Sequence, residues 1–201
     1  RQPTLADVRS MWAGSRPLVK PQDDDGENTK GISREHTVLT SKSGMVTVTG
    51  GKWTTYRAMA EDVLEACFNA GELPRKPGGV TVQLPLVGAP ASGRSQHSMH
   101  MAQGMHSYGS ESAAVQALPG ADIWLADSLS EAMVRFAARY EYARTVEDML
   151  ARRSRMLFLD ARLAAKLAPR VAQILQEELG SDPALQDFLV LAQQYTGKKT
   201  A

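Results

Sequence analysis

The stretch Gly50-Gly51-Lys52-Trp53-Thr54-Thr55-Tyr56-Arg57 concentrates residue types that can hold an anion. Two glycines let a ligand approach the backbone closely, because no side chain intervenes. A helix starting behind them presents unpaired N–H groups and the positive end of its dipole. The hydroxyls of Thr54 and Thr55 stand beside that end, and Lys52 adds a full positive charge. Such a corner is a receptor for an anion or a delocalised negative charge. A plainer alternative is a tight turn with Thr54 or Thr55 as N-cap, and composition and spacing alone favour it.

The flanking sequence defines the elements that must position this corner. Met45–Thr49 alternates and is β-branched, as a half-buried strand should be. From Tyr56 the period changes: Tyr56, Met59, Ala60, Val63, Leu64, Cys67 and Phe68 share one helical face. Upstream, Thr37–Thr40 reads as a second strand, and Ser41–Gly44 as the turn of an antiparallel hairpin. Arg34 then stands at a strand mouth. Arg16 precedes Pro17, which biases the arginine toward an extended backbone. Thr4-Leu5-Ala6-Asp7 has the form of a capping box, opening a short helix with Leu5, Val8, Met11 and Trp12 inward and a stop at Gly14. The aspartate-rich run Pro21–Gly31 reads as a solvated loop without chemistry.

Composition narrows the classes. The chain has 201 residues and a formal charge of +1, so it advertises no polyanion and no nucleic-acid partner. Its one cysteine, Cys67, lies on an apolar helix face and reads as core rather than nucleophile. Metal-ligand spacing is absent: His36 stands alone, and His97, His100 and His106 lack partners of ligand type. No apolar run reaches the ~20 residues needed to span a bilayer, and no signal peptide is visible.

Prolines and glycines crowd residues 71–94, marking a linker or crossover, with a short strand at Val80–Leu84. Beyond it the chain reads helical. A weak helix is expected over Ser95–Ser107, and Ser110 caps a short one. Asp127–Ser130 caps a helix through Tyr140, Thr145–Asp148 forms a second capping box, and Asp160 caps a run in which Pro169 makes a kink or a new start. Gly180 ends the following run, and Asp182-Pro183 begins the last helix. Arg152, Arg153 and Arg155 form a basic cluster that reads narrowly as a solvated helix end. Docking on another domain or on anionic lipid are the alternatives.

Val48–Arg57, together with Trp12-Ala13-Gly14-Ser15-Arg16-Pro17-Leu18-Val19 and Ile32-Ser33-Arg34-Glu35-His36, resembles segments of FAD-dependent, quinone-linked glycerol-3-phosphate dehydrogenases, in their order and approximate spacing. The resemblance implies FAD held by Gly50, Gly51, Lys52, Thr54 and Thr55, with Lys52 catalytic. It implies sn-glycerol 3-phosphate bound by Arg16, Arg34 and Lys52. Arginine suits a phosphate because its planar fork meets two oxygens and stays charged.

The chain holds no Gly-x-Gly-x-x-Gly after a strand, so the expectation is a C-terminal fragment. Residues 1–72 would be the incomplete end of the FAD/substrate domain, 73–94 a linker, and 95–201 a helical domain. The fold class is thus α+β, a hairpin plus helix followed by an all-α domain. The resemblance implies quinone as electron acceptor and a cytoplasmic location, peripheral on the cytoplasmic membrane. FAD and activity belong to the intact enzyme, whose general base and most FAD contacts would lie on the missing N-terminal FAD domain. The chain by itself is expected to be inactive. A homodimer stays open. So do an autonomous helical interaction module and an amine- or amino-acid-oxidising flavoprotein of the same superfamily.

Overall fold

The computed structural model describes residues 1–15, 35–90, 97–98 and 101–197. The chain divides into two compact units, Gly14–Leu84, and Arg1–Ala13 with Pro85–Ala201. The fold is α+β, with two small antiparallel sheets among many helices.

In the first unit, β1 (His36–Thr40) pairs antiparallel with β2 (Val46–Gly50), and the register sets His36 opposite Gly50. Ser41 closes the turn: its carbonyl accepts the Gly44 N–H, and its hydroxyl accepts the Met45 N–H. A 3-10 turn at Trp53–Thr55 leads from β2 into α1 (Tyr56–Asn69). The apolar stripe of α1 splits into two rows. Met59, Val63 and Cys67 are half-buried, whereas Tyr56, Ala60 and Leu64 are exposed. None of the described residues of this unit is buried. Val80–Leu84, expected as a strand, is a 3-10 turn at Val80–Gln83, entered through Gly79 at φ 79°. With no strand beside it among the described residues, the segment satisfies its backbone locally, Val82 N–H to Gly79 and Leu84 N–H to Thr81.

The second unit holds the core. Its elements are α2 (Ser112–Gln116), β3 (Trp124–Ala126), β4 (Leu129–Ser130), α3 (Glu131–Tyr140), α4 (Met156–Leu159), α5 (Ala161–Leu179) and α6 (Leu185–Tyr195). A 3-10 turn at Met105–Glu111 precedes α2, and a π-helical turn at Asp148–Arg153 precedes α4. Phe188, Leu129, Met149, Leu150, Leu157, Ile174 and Leu175 are fully buried. The caps fall where side-chain chemistry places them. Ser130 Oγ accepts the Met133 N–H, Asp160 Oδ1 accepts the Leu163 N–H, and Thr145 and Asp148 cap each other reciprocally. Gly180 ends α5 at φ 67°.

Further features depart from expectation. The ribbon β3–β4 interrupts an otherwise helical unit. The short helix expected to be capped by Ser110 begins at Ser112, with Glu111 at the N-cap position. Pro169 starts no new helix: α5 runs through it, because Leu167, Ala168, Val171 and Ala172 on either side are buried and offset the lost hydrogen bond. Asp182-Pro183 lies outside α6; the Pro183 carbonyl accepts the Val146 N–H, and Ala184, left-handed at φ 55°, precedes the helix. The N-terminal helix is reduced to a 3-10 turn at Leu5–Asp7, capped by the Asp7 carboxylate on the Thr4 N–H and hydroxyl. Residues beyond it are claimed by long-range partners: Ser10 Oγ donates to the Leu157 carbonyl and accepts the Ala161 N–H, and the Met11 N–H reaches Tyr195. Of the weak helix expected over Ser95–Ser107, residues 95–96 and 99–100 lie outside the described residues, and Met105–Ser107 belong to the 3-10 turn.

Ion pairs tie α3 to α5. Arg135 meets Glu177 and Glu178 at 2.8 Å each, Arg139 meets Glu178 at 2.6 Å, and Arg170 forks onto the buried Glu131 at 2.7 and 2.8 Å. The Arg139 hydrogen bond, opposed by burial and reinforced by Arg135, holds the Glu178 carboxyl below the ordinary glutamate range. A depressed folded-state pKa contributes stability that is present above the unfolded value, near 4.3, and is lost as pH falls through the folded one. Glu178→Gln should therefore cost about 2 kcal/mol near neutral pH, between the value of an exposed pair and that of a buried one. The deficit should narrow below about pH 4, and urea titrations across pH measure both.

Candidate functional site

The strand-to-helix corner comes from two successive glycines in the left-handed region, Gly50 at φ 79° and Gly51 at φ 81°. At Gly51 a Cβ would lie 2.5 Å from Met59 Sδ and 3.1 Å from His36 Cβ. The corner therefore needs glycine for both torsion and space. Lys52 follows with extended backbone, and its side chain is exposed. Among the described residues nothing pairs with its ammonium. Nor does any hydrogen bond engage the N–H groups of Lys52, Trp53 or Thr54 among those residues.

The second threonine behaves differently. Thr55 directs both its N–H and its hydroxyl onto the Lys52 carbonyl, at 3.0 Å each, and the Tyr56 N–H goes to Trp53. These bonds lock the turn, so the open donors are the three preceding amides. Trp53, 86% exposed, stacks on Tyr56 with ring centroids 5.5 Å apart. The outcome is a corner offering three amides, one ammonium and the start of a 14-residue helix, able to receive electron-rich, planar or anionic groups.

Of the expected site residues, Gly50, Gly51, Lys52, Thr54 and Thr55 come together here, whereas Arg16 and Arg34 lie outside the described residues. Sequence reasoning missed Asp62, whose Oδ2 stands 2.6 Å from His36 Nε2. Its signal was a carboxylate three residues after Met59 on the helix side facing the hairpin. The basic cluster is largely folded back. Arg152 pairs with Glu147 and Asp148, and Arg153 donates to the Asp148 and Glu141 carbonyls. A hollow of about 200 Å³ in the helical unit, lined by Tyr108, Glu141 and Arg153 among others, contains none of the expected site residues. Among the described residues no cluster suits a metal ion, and no helix is long and apolar enough to cross a membrane.

Residues 79–186 match the model of the C-terminal domain of alpha-glycerophosphate oxidase, and the chain belongs to that family. It is 34% identical over 204 residues to the mitochondrial glycerol-3-phosphate dehydrogenase of Arabidopsis thaliana, an alignment covering 86% of this chain and 32% of that protein. The mitochondrial glycerol-3-phosphate dehydrogenase of Bos taurus is 35% identical over 88% of this chain and 26% of its own length. That of Schizosaccharomyces pombe is 32% identical over 95% of this chain and 37% of its own. The chain thus spans from about a quarter to somewhat over a third of these relatives. No solved structure matches it.

Gly51→Ala should weaken the hairpin–helix by about 1–2 kcal/mol through the left-handed torsion, with the Met59 thioether yielding some space. Amide exchange should then quicken in β2 and the first turn of α1, and stay unchanged in the helical unit.

Proposed function

We propose that this chain is the C-terminal portion of a flavoprotein that oxidises sn-glycerol 3-phosphate to dihydroxyacetone phosphate and passes electrons to quinone. One observation carries the reading: among the described residues, the amides of Lys52, Trp53 and Thr54 and the Lys52 ammonium have no partner at the glycine corner. Family membership and the names of the similar dehydrogenases support it. The donor set fits the pyrimidine end of an isoalloxazine, where negative charge accumulates on reduction.

FAD would supply the hydride acceptor opposite C2 of the substrate. The chain's own residues do the rest. Gly50 and Gly51 carry the backbone past the ring edge by their left-handed torsions, with Met59 and His36 filling the side-chain space at Gly51. The Lys52–Thr54 amides stabilise growing negative charge from a fixed position, without solvent reorganisation. Lys52 orients the substrate oxygen and offsets its developing alkoxide character. Arg16 and Arg34 would hold the phosphate dianion, converting remote binding energy into positioning. The general base would come from an N-terminal FAD domain. We place the end of the FAD/substrate domain at 1–72, a linker at 73–94 and the helical domain at 95–201. Attachment would be peripheral, on the cytoplasmic membrane. The uncovered row Tyr56–Ala60–Leu64 suits a segment that further protein must cover.

A second reading has its own support. The entire buried core of the described residues lies between Val115 and Ala192, so the helical unit could serve as an interaction module, for instance in a homodimer. Self-association or liposome binding by an isolated 95–201 segment would favour it.

In the full-length protein, Lys52→Ala should lower kcat by about 10²–10³-fold, while Arg16→Ala should mainly raise KM for the phosphorylated substrate. Steady-state kinetics with sn-glycerol 3-phosphate and glycerol separate the two effects. Unchanged kcat in Lys52→Ala would overturn the assignment.

A further inference from the structure

The hairpin–helix contains no buried residue among those described, so packing alone anchors its corner weakly. One polar contact crosses from the strands to the helix. His36 Nε2 lies 2.6 Å from Asp62 Oδ2, with the imidazole 23% exposed and the carboxylate 58%. Among the described residues it is the only side-chain hydrogen bond between the two strands and α1. The other acidic residues of α1 are engaged elsewhere: Glu61 with Arg57 and Thr81, Glu65 with Arg75. His36 is also the register partner of Gly50, and its Cβ closes the space beneath Gly51 together with Met59. One residue therefore lies against both glycines of the corner and reaches the second turn of the helix.

We infer that His36 and Asp62 form a positioning clasp, which fixes the Gly50–Lys52 corner on α1 and thereby sets where the Lys52 ammonium and its neighbouring amides stand. The inference rests on the proposed reading of that corner as facing flavin and substrate. His36 and Asp62 act through Lys52 and touch no reacting atom. A misplacement of about 1 Å in such a donor set is enough to cost a large part of the rate.

The test uses the full-length, flavin-loaded enzyme. Asp62→Ala should lower kcat about tenfold, leave KM for sn-glycerol 3-phosphate within twofold, and weaken the hold on reduced flavin. A tenfold weaker hold lowers the midpoint potential by about 30 mV for a two-electron couple. Asp62→Glu should restore most of both. In a Lys52→Ala background the Asp62→Ala loss should shrink below twofold, because residues acting as a unit are non-additive. Should Asp62→Ala fail to load flavin, Asp62→Asn, which keeps the side-chain size, should show the same pattern at about threefold. Unchanged kcat and potential in Asp62→Ala, or a full tenfold loss added to Lys52→Ala, would overturn the clasp while leaving the corner's role intact. Unchanged turnover in Lys52→Ala would overturn both.

Discussion

Two consecutive backbone torsions near φ +80°, at Gly50 and Gly51, are the constraint on which the hairpin–helix depends. They turn the chain out of β2 into the short 3-10 turn that leads to α1, and at Gly51 any other residue meets both torsional strain and the Met59 and His36 side chains. The reversal fixes where helix donors are left over. The Lys52 carbonyl accepts twice from Thr55, so the turn closes on itself at that point. The amides just before it are then excluded from intrahelical pairing. A receptor for negative charge is the remainder of this local accounting, with Lys52 attached to it.

The two units are stabilised by different physics. The helical unit buries a continuous core and ties α3 to α5 with forked ion pairs, two of whose carboxylates, on Glu131 and Glu178, are nearly excluded from solvent. Removing one partner there leaves a charge poorly compensated. The hairpin–helix has ladder hydrogen bonds, a half-covered apolar row and few side-chain ties. Stability is therefore expected to be uneven along the chain, lowest in the hairpin–helix. In such a unit a single directional contact between strand and helix has more influence on geometry than it would inside a packed core.

Legibility in the sequence followed the range of the interactions. Features set within four residues were readable: the Ser41–Gly44 turn, the start of α1, the Ser130 and Asp160 caps, the Thr145–Asp148 pair and the Gly180 stop. Features decided by distant partners were not. The N-terminal segment has a good capping box, yet its backbone beyond Asp7 is drawn out by Leu157, Ala161 and Tyr195. Val146 claims the Pro183 carbonyl and so displaces the start of α6. At the site, the glycines and Lys52 were readable from residue type, whereas the inward turn of Thr55 and the reach of Asp62 to His36 depend on how hairpin and helix meet.

Counting basic residues is a poor guide to where charge acts. Arg152 and Arg153 belong to the densest basic cluster, but nearby carboxylates and carbonyls occupy their guanidinium groups, and the local field is largely cancelled. Lys52 is one charge in a stretch without acidic neighbours from Met45 to Ala60, and among the described residues no carboxylate pairs with it. Unpaired donors that add to one another are what an electron-accepting ring and a phosphorylated alcohol require, because each must leave water and gains only where the protein has kept its own partners vacant. The charges of the helical unit hold helices together, whereas among the described residues the Lys52 ammonium has no partner.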